Sequence, residues 1–554
     1  MISYLNPVPS LPEPFGPHKV GTSEWEIPVS EIASSAPSTD STISTIKFRL
    51  YYPTLPTETS GSIKWLPPPQ SQWIEAYSSF LGAGARLASF ISALPSLIKY
   101  TTIPAIPDAP LLPRTASSKY PLVVFSHGLG GNFNTYSSVC AALASFGIVC
   151  AAPEHRDGSA PISLIRSSSG QHTSSIPYQK HSHSPTPDVL NARNAQLRIR
   201  LWEMELLSTV LLSLNTGKTF TNYAASPSQR EPLPSLSQTL DLQPGHITWA
   251  GHSFGAATTV QFVKSVYYHE HLPSLVGTGY EDNRDWRPLY TPAKNSELVE
   301  QITPDSPVAL LDLWTMPLRG DVTQWLWEKP LPCYDRRPSS EKDNTNVVAV
   351  ISTEFHKWTE LLSRTKAALS NRPAEAIKEF DRAKSDCSAS SDDERSTMST
   401  PPGKAPLPFP DEETPPSSTT SSTEPSRTSS PSPASTPPPT TAEPTAPALY
   451  LIPDSAHLSQ SDFGLLFPNL TRYLMKAHDP QKTIELNVRA ILAVMRGRGL
   501  EVENFQPASE STSGKSKSKS KSQQQPPPET EKAALDSILS EEGVEARFVR
   551  LPLS

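Results

Sequence analysis

Cysteine is scarce in this sequence: Cys140, Cys150, Cys333 and Cys387 are the four in 554 residues, and none falls in a CxxC or Cys/His ligand spacing. That speaks against a disulfide framework or a zinc ribbon and for a reducing setting. A dominant charge is missing as well. With 48 basic and 55 acidic residues the formal net charge is −7, so nothing draws the whole chain to nucleic acid or to an anionic membrane. No apolar run is long enough to span a bilayer. The start, Met1 to Pro7, lacks the basic region and apolar core of a signal peptide. The expectation is a soluble, cytoplasmic chain.

Proline is what the sequence has in excess. Many of its 60 prolines lie, with serine and threonine, in stretches that cannot bury apolar surface. Length alone would accommodate about three or four domains, but the remaining residues suffice for one large one. The expected organisation is a domain in two parts, 1–387 (its first 37 residues an extended arm) and 448–503. A disordered Ser/Thr/Pro-rich insertion at 388–447 interrupts it. A disordered Lys/Ser tail at 504–530 and a C-terminal segment at 531–554 follow. The Lys515–Ser522 alternation reads as a solvated tail; a membrane tether or an import signal are the other readings.

Ile46–Pro53 alternates and is rich in aromatic and branched residues, which predicts a strand. Tyr120–Phe125 and Ile148–Pro153 are continuous apolar runs joined by a helix over about 135–146, the pattern of buried parallel strands. A long amphipathic helix over 188–214 puts Leu197, Leu201, Met204, Leu207 and Leu211 on one face. Val308–Trp314, Val347–Ser352 and Ala448–Pro453 read as further strands, helices are expected over 358–384 and 480–495, and 463–473 reads as a further folded piece. Residues 159–187 read as a polar loop whose His181 and His183 have no further metal ligands nearby. The fold class is α/β, a mostly parallel central sheet flanked by helices. Residues 73–100 have helical apolar spacing with Glu75, Arg86 and Lys99 as their charges. They suit a core-packing helix pair or an apolar face resting on lipid.

All of this is arranged around Trp249–Gly255. Gly251-x-Ser253-x-Gly255 after a strand and before a helix is the pattern of a nucleophile elbow, although a bare GxSxG also fits an ordinary turn. Small residues on either side let the turning backbone pass its neighbours. A nucleophilic serine needs a base, an acid to orient that base and donors for an oxyanion. In sheets of this kind the chain order is Ser, then acid, then His. Asp312, at the end of the first strand after the elbow helix, and His457, after the last strand, satisfy that order. His252, His356, Asp305 and Asp454 are weaker candidates: His252 lies inside the elbow, His356 in a charged helical approach, Asp305 in a proline-flanked loop, and Asp454 beside His457 in sequence. The oxyanion donors expected are the N–H groups of Phe254 and, in the His127–Gly130 turn, Leu129.

Tyr120–Gly130, Glu154–Asp157, Gly251–Gly255 and Leu311–Leu318, with Gly16–Gly21 and Arg49–Pro53 ahead of them, resemble the platelet-activating factor acetylhydrolase family. The type resembled is the plasma and type II enzymes, also called lipoprotein-associated phospholipase. The resemblance runs from about residue 14 to 475 outside the insertion. It implies an α/β-hydrolase fold and calcium-independent hydrolysis of a short or oxidised sn-2 acyl ester of a phospholipid. By the same resemblance Ser253 is nucleophile, Asp312 acid and His457 base, with oxyanion donors at Leu129 and Phe254 and neither metal nor cofactor. It also favours lipid-surface contact through 73–100 and 458–467. Asp454–Leu458 matches the family loosely, and the insertion and lysine–serine tail depart from it. Two rival readings are an α/β-hydrolase acting on soluble esters and a non-catalytic interaction protein on the same fold.

Overall fold

The structure, a computed structural model, describes residues 8–32, 42–56, 61–93, 96–115, 117–225, 234–271, 287–292, 296–336, 345–390, 446–504 and 548–553. The expected disordered insertion, from residue 391 to 445, and the Lys/Ser tail lie outside the described residues.

The chain begins with β1 (Lys19–Pro28) and β2 (Thr45–Thr54), paired antiparallel over ten residues. Short strands β3 (Ile63–Lys64) and β4 (Thr102–Ile103) bracket helices α1 (Gln70–Phe80) and α2 (Ala85–Ala93), and β5 (Ile106–Pro107) follows. Then come β6 (Leu122–Ser126), α3 (Ser137–Ser145) and β7 (Val149–Glu154). A hairpin of β8 (Ile162–Arg166) and β9 (His172–Pro177) precedes the 29-residue helix α4 (Pro187–Asn215). Next are β10 (Thr248–His252), α5 (Phe254–Tyr267), α6 (Glu297–Gln301), β11 (Val308–Leu311) and α7 (Asp321–Trp327). They are followed by β12 (Val347–Ser352), α8 (Thr353–His356), α9 (Thr359–Leu369) and α10 (Pro373–Ser390). Last are β13 (Ala448–Ile452), α11 (Asp462–Leu466), α12 (Pro468–Leu474), α13 (Pro480–Gly497) and β14 (Val549–Leu551).

Ten strands form one sheet in the order β14-β13-β12-β11-β10-β6-β7-β2-β1-β5, parallel from β7 through to β13. The apolar runs are continuous because both faces are covered. Leu122, Val124, Trp249, Val308 and Leu310 point to α4 and α5, whereas Val123, Phe125, Ala250, Ala309 and Leu311 point to α3 and α13. This is the α/β-hydrolase fold. From β6 the chain passes through α3 to β7 on one side, then returns through α4 to β10 on the other. The crevice of such a reversal opens at the C-terminal ends of the two strands, here at residues 127–131 and 253.

Four expectations are corrected. The N-terminal arm carries β1, a full strand of the sheet; the loop over 159–187 contains the β8–β9 hairpin; the helix over 358–384 is two helices, α9 and α10; and α10 runs to Ser390, past the expected start of the insertion. β1 was hidden because Glu24 and Glu26 argue locally against burial. Their charges are met only in three dimensions, by Lys47, Arg49, Arg156 and Arg166. The C-terminal segment also contributes β14, antiparallel to β13.

The segment after β13 is anchored by one carboxylate. Asp462 accepts the N–H groups of Ser137 (3.1 Å) and Ser138 (3.0 Å), the Ser137 hydroxyl (2.5 Å) and the Trp65 indole N–H (2.9 Å). It therefore caps α3, whose first N–H groups have no intrahelical acceptor. Asp462→Ala is expected to cost about 2–3 kcal/mol in chemical denaturation, because it strands buried donors. An unchanged midpoint and slope would rule out this anchoring role.

Candidate active site

Ser253 lies between β10 and α5 with φ +56° and ψ −116°, a conformation costly for a residue with a side chain. The flanking glycines make it attainable. A methyl group at Gly251 would strike the Gly255 carbonyl, and one at Gly255 would strike the carbonyl of Ser126 at the end of β6. The elbow is thus pressed against the neighbouring strand, and only hydrogen fits at both positions.

Asp312 follows β11 directly. It is fully buried with φ +42°, a conformation tolerated by aspartate more readily than by most residues. Its Oδ1 accepts the Ser352 N–H (2.6 Å), and its Oδ2 accepts the Ser352 hydroxyl (2.7 Å) and meets His457 Nδ1 at 2.9 Å. The acid and base foreseen from chain order are therefore brought together across 145 residues of sequence. His457 also donates its main-chain N–H to Glu354 (2.9 Å), and its ring stacks on Phe355 (4.1 Å between centroids, 5° between planes). Burial raises the Asp312 carboxyl to about 6 and lowers the His457 imidazole to about 3. At neutral pH the pair is an ionised carboxylate holding a neutral imidazole. Its Nδ1 proton goes to Asp312, leaving Nε2 as the basic nitrogen. Ser253 makes no hydrogen bond to His457 in the structure; bonds of that kind often tighten only when substrate is bound.

The turn after β6 faces the elbow. A methyl group on Gly128 would lie 3.1 Å from Ser253 Cβ. Tyr136 links the two: its oxygen accepts the Gly128 N–H (3.2 Å) and shares a hydrogen bond with His252 Nδ1 (2.7 Å). Leu129, next in the turn, is partly buried, and Phe254 is the first residue of α5, where N–H groups lack intrahelical acceptors. The Phe254 ring is covered by the Arg200 guanidinium (4.2 Å) and meets Trp314 edge-on (5.7 Å).

Of the weaker candidates, His252 joins the site: its ring lies 4.3 Å from that of His457. Its exclusion as base is consistent with Tyr136 holding its Nδ1 and with burial lowering its basicity well below the usual value. Asp305 is spent on Arg336 (2.9 Å) and Arg498 (2.7 Å). Among the described residues, the nitrogen and oxygen atoms of His252, Asp312 and His457 lie within 4.8 Å of one another, close enough for a metal cage. Asp312 Oδ2 is already committed to a hydroxyl and an imidazole, which favours a hydrogen-bonded set. Among the described residues His181 and His183 belong to no such cluster; His183 packs on Trp314 (5.4 Å). Sequence reasoning missed Tyr136, Ser352, Glu354 and Phe355. Only the position of Ser352 at a C-terminal strand end could have flagged any of them.

Residues 5–273 match the family described as platelet-activating factor acetylhydrolase, isoform II. A putative phospholipase A2 of Schizosaccharomyces pombe is 30% identical over 266 residues, 45% of this chain and 58% of that protein. The platelet-activating factor acetylhydrolase of Canis lupus familiaris is 32% identical over 217 residues, 38% of this chain and 45% of that protein. The chain thus spans about half the length of the curated relatives it matches. A ferulic acid esterase structure from Streptomyces cinnamoneus aligns with a TM-score of 0.38 at 15% identity, over 88% of this chain and 92% of that one, which is too remote to transfer chemistry. The family resemblance read from the motifs is borne out over 5–273, a stretch that includes the elbow and the glycine turn and ends before Asp312.

Gly255→Ala is expected to prevent the elbow from seating against β6, lowering soluble yield and stability by about 3 kcal/mol or more, as overpacking against backbone does. A stable, well-folded alanine variant would mean that the elbow is not held as described.

Proposed function

On the premise of a hydrolase fold similar to the platelet-activating factor acetylhydrolases, we propose that this chain is a calcium-independent serine esterase. Its substrate is a platelet-activating-factor-like glycerophospholipid, from which it removes an acetyl or other short or oxidised sn-2 acyl group. The observation that carries the reading is the Asp312–His457 pair at 2.9 Å, with a serine held in a strained elbow whose N–H bonds the Leu311 carbonyl next to Asp312. In this mechanism His457 takes the Ser253 proton as the hydroxyl oxygen attacks the ester carbonyl. Asp312 stabilises the imidazolium, and the N–H groups of Leu129 and Phe254 receive the oxyanion. The tetrahedral intermediate collapses by breaking the bond to the sn-2 oxygen, which takes the proton from His457 and leaves as lyso-phospholipid. Water, deprotonated by the same imidazole, then attacks the acyl-enzyme and releases the carboxylate and the serine.

A lipid substrate needs an approach to a membrane or lipoprotein surface, and the exposed apolar residues support one. Leu81, Leu87, Phe90, Leu97 and Tyr100 of the α1–α2 region are exposed; of the expected 458–467 only Phe467 is, the rest being buried or half-buried, and the exposed apolar residues beyond it are Leu470 and Tyr473 of α12. The two regions meet through Phe463, packed on Trp65 (5.6 Å) and Tyr77 (5.7 Å). Tyr77 accepts a hydrogen bond from Asn132, next to the glycine turn, and the Phe80 ring lies over Gly130. The α1–α2 region therefore packs against the rim of the site. In this reading it rests on lipid and delivers the acyl chain to Ser253.

Four results test the proposal. A fluorophosphonate probe should label the wild type and not Ser253→Ala; no labelling, or equal labelling of both, would favour the non-catalytic reading. Asp312→Asn should lower kcat by about 10⁴-fold, as loss of the orienting acid does in other serine hydrolases. Activity requires an ionised Asp312, so kcat/KM should fall as pH drops through about 6, an apparent value that belongs to the coupled pair. An acid limb centred more than about two units away would contradict the assignment. For the lipid face, Leu87→Asp with Phe90→Asp should reduce hydrolysis of acetyl-phospholipid in vesicles by roughly tenfold or more, from the lost burial of two apolar side chains. A smaller effect is expected on p-nitrophenyl acetate, and equal losses on both substrates would remove the lipid-contact role.

A further inference from the structure

We infer that the four consecutive residues Ser352–Phe355 are a positioning element that holds Asp312 ionised and fixes the plane of His457; this deepens the reading of the site above and rests on it. None of the four is acid, base or nucleophile, yet each touches that machinery or the loop that carries it.

Ser352 ends β12 and is fully buried. Both of its donors, the main-chain N–H at 2.6 Å and the hydroxyl at 2.7 Å, go to the Asp312 carboxylate. The hydroxyl oxygen is itself fixed, because it accepts the Phe355 N–H (3.3 Å) as the cap of α8. Thr353 braces the element against the end of β13: its N–H goes to Ser455 Oγ (3.3 Å) and its hydroxyl to the Ile452 carbonyl (3.1 Å). Glu354 accepts the His457 main-chain N–H (2.9 Å), so the start of the His457 loop is tied to the same turn. The Phe355 ring then lies parallel to the imidazole at 4.1 Å. A single hydrogen bond from Nδ1 to Asp312 leaves the imidazole free to rotate about that bond. The stacked ring removes this freedom and sets the direction of Nε2.

The element acts on Asp312 with two opposed influences. Hydrogen bonds to a carboxylate favour its ionised form, so Ser352 lowers the proton affinity that burial has raised. Glu354 does the reverse, since a second carboxylate nearby disfavours ionisation; its own carboxyl is raised by burial and by Asp312. The other titratable groups facing Asp312 are His457 after β13, His252 at the end of β10 and Tyr136 at the start of α3. None of them lies on the Ser352–Phe355 element, and none is altered by the variants below.

The test is the pH profile of kcat/KM for p-nitrophenyl acetate, read alongside the second-order rate of fluorophosphonate labelling, on the full chain. Ser352→Ala removes the hydroxyl and should move the acid limb up by about one pH unit, the shift expected for losing a strong hydrogen bond to the charged form. Ser352→Thr keeps the hydroxyl and should restore the limb. Glu354→Gln keeps an acceptor for the His457 N–H but removes the facing charge, and should move the limb down. Shifts of opposite sign from neighbouring residues are not what general loosening would produce. Should the alanine variant fail to fold, the sign of the Glu354→Gln shift decides. Limbs coinciding with a labelled, active wild type overturn the positioning role alone. A wild type that is neither labelled nor active overturns the esterase reading, and this inference with it.

Discussion

A carboxylate buried with no access to water is the constraint from which most of this site follows. Ionised Asp312 is tolerable only where donors replace its hydration, and the sheet supplies them. β11 and β12 run parallel in a register that pairs Leu311 with Val350. That register sets Asp312 just past the end of β11 and Ser352 two residues beyond Val350, with the Ser352 N–H and hydroxyl both turned to the carboxylate. β12 in turn pairs Ser352 with Ile452 of β13. The loop leaving β13 therefore starts next to the same carboxylate and brings His457 to its open lone pair. A one-residue slip anywhere in these three strands would turn Ser352 or His457 away.

The other half of the site is held by charge buried elsewhere. The Glu154–Asp157 run at the end of β7 is a hub. Glu154 accepts the Phe133 N–H (3.0 Å), His155 lies between Ser126 (2.8 Å) and Glu203 (3.0 Å), Arg156 pairs with Glu26 (2.9 Å) and Asp157 pairs with Arg200 (2.6 Å). Arg200 also donates to the His127 carbonyl (2.9 Å) and covers the Phe254 ring. One guanidinium on α4 thus touches the glycine turn and the first residue after the nucleophile elbow. Buried ion pairs of this kind contribute little net stability when intact and are costly to break. Here they fix the turn after β6 against the elbow. Tyr136 makes the same link from the opposite side through Gly128 and His252.

Where the local pattern and the burial agree, the sequence was readable. The apolar runs became β6, β7, β10, β11, β12 and β13, the leucine face of 188–214 became α4, and GxSxG became a strained elbow. Each of these is a property of neighbouring residues: two-sided burial makes a strand uniformly apolar, and a Cβ clash demands glycine. Where burial is polar, the reading failed. Glu24 and Glu26 are strand residues whose partners come from β2, from the hairpin after β7 and from Arg156, so no window around them shows why they are inside. The β8–β9 hairpin has a largely exposed second strand, and β14 has three residues, too few for a periodic signal.

The division for the site is similar. The sequence by itself determined the elbow at Ser253, the order of an acid at Asp312 and a histidine at His457 after later strands, and the glycine turn containing Leu129, because each is written as a residue type at a strand end. Only the tertiary structure decided that Asp312 and His457 lie 2.9 Å apart, and that Ser352, Glu354 and Phe355 surround them. Likewise it alone decided that Tyr136 ties the glycine turn to the elbow. The physical reason is that these are contacts between strands and loops distant in the chain. Their geometry depends on sheet register and on what else must be buried beside them, and neither is encoded within any one segment.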